Sequence, residues 1–290
     1  MRHPGSANHV TLAKAAFAAS LAATALTAPF AHAKDTLTFD EEFTQFTWSP
    51  DGSSGWMTTY PYGGESARTL PGNDEWEYYS DSTVGEMPFT DAHGALIIRA
   101  RPAKPGSNPY NLPFDSGLIT TFGSFSQLYG RFEMRAKLPA GQGLWPAFWM
   151  LPANNVYSCE LDIFEVLGSA PGTLYATTHG ETNNNWVVDS QAVQVPDTAS
   201  GFHVYGVDWE PATVTFLMDG KVIATAATPG SMNTPMYMLI NLAVGGPGSW
   251  PGAPNTQTHF PAPMVIDWVR AYATPNTRTV QGRAALTKVP

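Results

Sequence analysis

The sequence predicts an all-β fold, a jelly-roll type sandwich of stacked antiparallel sheets. Three observations predict it. Beyond the first 33 residues no stretch shows the helical apolar period, whereas short runs rich in Val, Ile, Thr, Phe and Tyr recur between clusters of Gly, Pro, Asn and Asp. Eleven or more such runs fall in what looks like one domain, and that many strands must stack as two sheets or close on themselves to hide their apolar faces and edges. No long linker and no internal repeat divides the chain.

In order, the predicted strands are Leu96–Arg101, Gly117–Phe122, Gly130–Leu138, Leu144–Leu151, Glu160–Leu167, Leu174–His179, His203–Trp209, Val214–Met218, Val222–Ala226, Met236–Ala243 and Val265–Tyr272. Asp219-Gly220 suits a tight hairpin turn, since both residues tolerate positive φ. Glu210-Pro211-Ala212 is expected to join another pair. The irregular stretches Asp51–Thr69 and Pro102–Pro113 are expected to be loops that form binding walls, with Trp56, Tyr60, Tyr62 and Tyr110 in them.

Residues 1–33 read as a secretory signal: Arg2 and Lys14, an alanine-rich apolar run from Ala15 to Phe30, then Ala31-His32-Ala33 as a cleavage site. The product is therefore expected to be secreted or periplasmic after cleavage near Ala33, with a globular domain over 34–274 and a polar tail over 275–290. Formal net charge is −9, and the leader holds two of the basic residues and no acid, so the remainder is more acidic still. Such a chain suits neither nucleic acid nor an anionic membrane surface. The single cysteine, Cys159, has no disulfide partner. It reads as a small buried apolar residue in preference to a nucleophile, because no local motif pairs it with a histidine.

Chemistry is expected at Glu160-Leu161-Asp162-Ile163-Phe164-Glu165, three carboxylates in a chain with only 13% charged residues. Alternation puts Glu160 and Asp162 on one face of a strand. Glu165, five positions from Glu160, joins them only if a β-bulge at Ile163-Phe164 absorbs one residue. With the bulge the acids converge as a retaining glycosidase requires, its two carboxyls about 5–5.5 Å apart; without it the segment is a strand with a solvated acidic face. In Gly143–Leu151, alternation puts Trp145, Ala147, Trp149 and Leu151 on one face, a platform for a pyranose ring or else core aromatics. His179 is placed to bond Glu165 or a sugar, or to serve structure. Asn241, an amide in an apolar strand, needs either a substrate hydroxyl or a backbone partner. Asp267, between Val265 and Val269, needs a cation or a capping hydrogen bond, and Glu41 and Glu42 are the N-terminal acids expected to contribute to that ion if the terminal strands pair.

Together, Gly130–Pro139, Leu144–Met150, the acid triplet, Phe202–Pro211, Asn241–Gly246 and Ile266–Arg270 resemble landmarks of glycoside hydrolase family 16 over nearly all of the chain beyond the leader. The resemblance implies a concanavalin-like jelly roll with an open concave cleft and internal cleavage of β-linkages with retention. Glu160 would be the nucleophile, Glu165 the acid/base and Asp162 the carboxylate between them. Trp145, Trp149 and Asn241 would form the cleft floor with His179 beside the leaving group. No catalytic cofactor is implied; a structural calcium is, at Asp267. The bulged six-residue form looks like the laminarinase, agarase and carrageenase branches, which favours a β-1,3- or β-1,3-1,4-glucan. Thr69–Tyr79 resembles the Asn-Glu-x-Gln-Tyr stretch of laminarinases only loosely, so a succinoglycan-like bacterial exopolysaccharide is an alternative substrate, and a sulfated galactan another. The partner is expected to be a polysaccharide met by a monomer; a lectin-like binding protein on the same fold is the alternative of another class.

Overall fold

The structure, a computed structural model, describes residues 36–61 and 63–282. The first strands are β1 (Thr36–Glu41), β2 (Glu77–Tyr79), β3 (Phe89–Ala92), β4 (Ala95–Pro102), β5 (Phe114–Ser116), β6 (Leu118–Thr120) and β7 (Phe125–Leu128). Next come β8 (Gly130–Lys137), β9 (Leu144–Pro152), β10 (Cys159–Val166), β11 (Thr173–Thr182), β12 (Asn185–Gln194) and β13 (His203–Trp209). The series ends with β14 (Thr213–Met218), β15 (Lys221–Ala227), β16 (Met236–Val244), β17 (Ala262–Ala273) and β18 (Thr279–Gly282). Two short 3₁₀ turns, Gly64–Ala67 and Pro71–Asn73, are the helical elements among the described residues, and no helix there is long and apolar enough to cross a membrane.

One sheet runs β15-β14-β13-β8-β17-β4-β5-β2, with β1 on β17 and β3 on β4. The other runs β12-β11-β10-β9-β16-β7-β18, with β6 on β16. All pairings between these strands are antiparallel except β2 with β5. The sheets share one core. Phe148 of β9 and Phe164 of β10 reach from the second sheet, and Phe164 meets Tyr205 of β13 in the first at a ring separation of 4.4 Å. Strand β8 shows the pattern at its plainest: Phe132, Met134 and Ala136 point inward while Arg131, Glu133 and Arg135 alternate outward.

Each of the eleven predicted runs contains a strand. Asp219 and Gly220 have φ of 51° and 73° and join β14 to β15, and Glu210 N–H donates to Thr213 across the turn between β13 and β14. The sequence pattern misses β1, the short strands β2, β3, β5, β7 and β18, and β12, whose first six residues are exposed on both faces and so carry no alternation. Asn183 and Asn184, at φ of 54° and 60°, make the β11–β12 turn without any glycine. The terminal strands do pair, β1 with β17. The tail expected from residue 275 is not all extension: Thr279–Gly282 lies on β7 as β18. The expected leader, residue 62 and residues 283–290 fall outside the described residues.

Because Phe164 fills the space between the sheets, Phe164→Ala is expected to lower unfolding free energy by about 3–5 kcal/mol. Phe202→Ala, at an exposed ring, is expected to cost less than about 1 kcal/mol. Urea denaturation of both variants checks the contrast, and equal losses would contradict this account of the core.

Candidate active site

The register of β10 carries the site. Against β11, Asp162 pairs with Thr177 and Glu165 with Tyr175, three steps on one strand for two on the other; against β9, Asp162 pairs with Trp149 and Phe164 with Phe148. One extra residue is therefore absorbed at Ile163. Ile163 and Phe164, adjacent in sequence, both enter the core, with Leu161 and Val166 on the same side. The core's demand for two consecutive apolar side chains turns Glu165 back to the face of Glu160 and Asp162. All three line one cleft of about 390 Å³ on the second sheet.

The four residues expected to hold substrate line the same cleft. Trp145 Nε1–H donates to Glu165 Oε1 at 3.0 Å. Trp149 Nε1–H donates to Asn241 Oδ1 at 2.8 Å, and the Asn241 amide donates to the Tyr79 hydroxyl at 2.9 Å, so the floor is a closed chain of polar groups under an aromatic surface. His179 Nε2 lies 3.0 Å from Asp162 Oδ2 and 4.0 Å from Glu160 Oε1, and thus serves Asp162, not Glu165. Asp162 is 3% exposed. Burial, and next the nearby Asp162 charge, push the Glu160 carboxyl well above the usual range, while a Tyr157 hydrogen bond works against the rise. Glu165 is also well above it, from burial first and Asp162 second, with Trp145 opposing.

Sequence reasoning missed part of the wall. Asn73, Glu75, Tyr157 and Trp250 line the cleft, and Tyr60, expected in a wall, does too. The Asn73–Tyr79 segment docks on the end of β16: Trp76 N–H donates to Val244 O, Gly246 N–H to Asp74 O and Gly248 N–H to the Asp74 carboxylate. Gly246 has no room for a side chain, because a Cβ would sit 2.3 Å from Trp76 Nε1. This is the stretch that matches the laminarinase pattern loosely, and Glu77 stands where that pattern has an amide. Of the other loop aromatics, Trp56 is core, its Nε1–H donating to Glu41 at 3.1 Å, and Tyr110 packs on Tyr78.

The metal expectation is corrected. Asp267 is ion-paired to Arg135, and Glu42 to Arg270, which also binds Asp40 at 3.1 Å. A calcium ion at either carboxylate would sit beside a guanidinium, so these residues do not fit one. A register shift between Ile266 and Trp268 also removes Asp267 from the face of Val269, so no cation is needed to offset its burial. Among the described residues, the group whose ligand atoms come within metal-binding reach is Glu160, Asp162 and His179, the acid site itself. Cys159 is fully buried, and burial pushes its thiol up to about 11, which suits packing and not attack.

The family model described as Glycosyl hydrolases family 16 matches residues 80–270. The chain is 41% identical over 247 residues to the endo-1,3-1,4-beta-glycanase EglC of Rhizobium meliloti (strain 1021), covering 82% of this chain and 52% of that protein. It is 32% identical over 223 residues to a beta-glucanase of Rhodothermus marinus, covering 69% and 75% respectively. Among solved structures, it is similar to the laminarinase catalytic domain from Thermotoga maritima MSB8, with TM-score 0.71, 32% identity, and coverage of 83% of this chain and 99% of that one. The chain spans about half the length of the Rhizobium meliloti glycanases it matches.

Beneath the cleft, Glu75 is 5% exposed and Glu77 fully buried. Asn73 donates to Glu75 Oε1 at 2.9 Å and Val244 N–H to Glu77 Oε2 at 2.7 Å, but Glu75 Oε2 and Glu77 Oε1 have no donor. Burial, then the charge of Glu75, holds the Glu77 carboxyl well above its ordinary 4.5. The folded state therefore keeps a proton that the unfolded chain releases above about pH 4.5, and stability falls as pH rises beyond that point. Glu77→Gln supplies a donor that cannot be titrated. It is expected to raise Tm near pH 7, by about 2–4 °C for each kcal/mol recovered, and to lose that advantage near pH 4. A lower Tm for the variant at neutral pH in a calorimetric pH series would refute the retained proton at Glu77.

Proposed function

The chain belongs to glycosyl hydrolases family 16, and from that premise we propose that it is an endo-acting, retaining β-glycanase whose substrate is a β-1,3- or mixed β-1,3-1,4-linked glucan. The observation that carries the proposal is the convergence of Glu160, Asp162 and Glu165 on one cleft through the β10 bulge. Relatives named as an endo-1,3-1,4-beta-glycanase, a beta-glucanase and a laminarinase support the choice of glucan. The open cleft on the face of the second sheet suits attack within a chain.

Glu160 attacks the anomeric carbon while Glu165 gives its proton to the departing glycosidic oxygen; water then opens the glycosyl-enzyme with Glu165 as base. The raised Glu165 carboxyl keeps the proton it must donate. Glu160 must be ionised to attack. Asp162, oriented by His179 at 3.0 Å, lies between the two glutamates as the carboxylate that flanks the nucleophile. No step needs a metal or an organic cofactor.

Trp145 and Trp149 offer an apolar surface for sugar rings, with Asn241 fixing the Trp149 indole. The described cleft lining has no Lys or Arg. Its acids would repel a sulfated galactan, which favours a neutral glucan over that alternative. An uncharged segment of a bacterial exopolysaccharide remains compatible with this lining. The protein is proposed to act as a monomer, since acids, floor and walls come from one chain, and to be exported, on the leader-like first 33 residues.

Glu160→Gln and Glu165→Gln are each expected to lower kcat by about 10³-fold or more with unchanged circular dichroism. Product analysis on laminarin, lichenan, agarose, carrageenan and a succinoglycan-type polysaccharide identifies the substrate; cleavage of none by the parent protein would sink the proposal and revive a binding protein. Trp145→Phe removes a donor that favours ionised Glu165. Its carboxyl is then expected to titrate higher, moving the alkaline limb of the kcat/KM profile to higher pH. A limb that stays or moves down would contradict the acid role of Glu165.

A further inference from the structure

Outside the catalytic centre the second sheet ends in a hairpin that carries aromatic rings into solvent. Trp186 on β12 is 45% exposed and Tyr157, in the loop before β10, is 60% exposed, yet the rings lie together, 5.5 Å between centroids and 32° between planes. Exposed aromatics of this size usually mark a binding surface.

Register ties the pair to the cleft. His179 faces Asp162 and is paired with Val188; Thr177, opposite Asp162, is paired with Ser190 and hydrogen-bonded to it at 2.9 Å. By alternation Trp186, Val188 and Ser190 share the face of the catalytic acids. Tyr157 completes the connection, lining the cleft and hydrogen-bonding the Glu160 carboxyl. The hairpin presenting Trp186 is braced from behind. Glu181 exchanges hydrogen bonds with Ser231, and Gly180 lies so close to Pro229 that a Cβ would come within 2.7 Å.

We propose that Tyr157 and Trp186 form a sugar platform that receives a pyranose ring of the glucan chain beyond the rings at the scissile bond. The proposal rests on the glycanase function above. Continuity with the cleft floor argues for the polysaccharide as occupant. So do the surroundings, since Glu181, paired with Trp186 in the register and on its face, offers an exposed hydrogen-bonding group that matches sugar hydroxyls. A preformed, braced platform adds affinity for long chains and nothing for a short substrate confined to the catalytic centre.

The test uses the full chain carrying Glu160→Gln, so that the polymer survives, in native gels containing laminarin or lichenan. Adding Trp186→Ala is expected to weaken retardation by about three- to tenfold in apparent Kd, and Trp186→Tyr to keep most of it. In the otherwise unchanged enzyme, Trp186→Ala is expected to raise KM on the polymer with little change in kcat, and to leave the cleavage of a short oligosaccharide alone. Equal retardation with and without Trp186→Ala, or retardation of neither, overturns the platform. Sedimentation that shows a dimer lost in Trp186→Ala, with glucan affinity unchanged, assigns the rings to self-association and overturns it too. A wild type that is retarded but cleaves nothing would instead defeat the hydrolase, while the retardation difference still decides the platform.

Discussion

The parity of a β-strand is the constraint on which the site depends. Side chains alternate, so two glutamates five residues apart belong on opposite faces, and only an extra residue in β10 lets both reach one cleft. The core, not the cleft, makes that residue stable. Ile163 and Phe164 are both buried, and Phe164 reaches across to Tyr205 in the other sheet. The same apolar contact that holds the sandwich together thus fixes which way Glu165 points. Fold stability and active-site geometry are one packing problem at this position.

Once gathered, the acids create an electrostatic problem that shapes their surroundings. Glu160, Asp162, Glu165 and Glu75 line a cleft whose described walls contain no cationic side chain other than what His179 can supply. Their hydrogen bonds come mostly from neutral donors, the Trp145 indole, the Tyr157 hydroxyl and the Asn73 amide. Neutral donors orient a carboxyl without neutralising its charge, so burial dominates and the Glu165 and Glu75 carboxyls lie above the usual range. An arginine in the same place would have held Glu165 ionised and unable to act as an acid.

Much of this was legible in the sequence, and the misses have physical causes. The triplet, its bulge and the two tryptophans could be read because period and parity are local properties of one strand. Glu75 could not. It reaches the cleft through a long-range dock of Asn73–Tyr79 on β16, which depends on close approach at Gly246, and it sits in an isolated bridge to Gly245 outside any strand that could show a period. Trp186 lay in a strand exposed on both faces, where alternation carries no signal. Asp267 was misread for a related reason: a second bulge, in β17, shifts its face, and the arginine that satisfies it comes from β8, more than a hundred residues away in sequence.

The arginines complete the explanation by where they are. Arg131 binds Asp208 at 2.6 Å, Arg135 binds Asp267, and Arg270 binds Asp40 and Glu42, all on the first sheet among partly exposed side chains. Such pairs, near water, contribute modestly to stability. Their larger consequence is segregation. With these cations committed to carboxylates on the first sheet, the chain's acidic excess bears on the second, where the cleft acids have only one another, a histidine and neutral donors. Two chemically similar carboxylates, Asp208 beside a guanidinium and Glu165 beside an indole, therefore serve differently: one is tied into an ion pair with Arg131, the other is a buried acid that holds its proton until a glycosidic oxygen takes it.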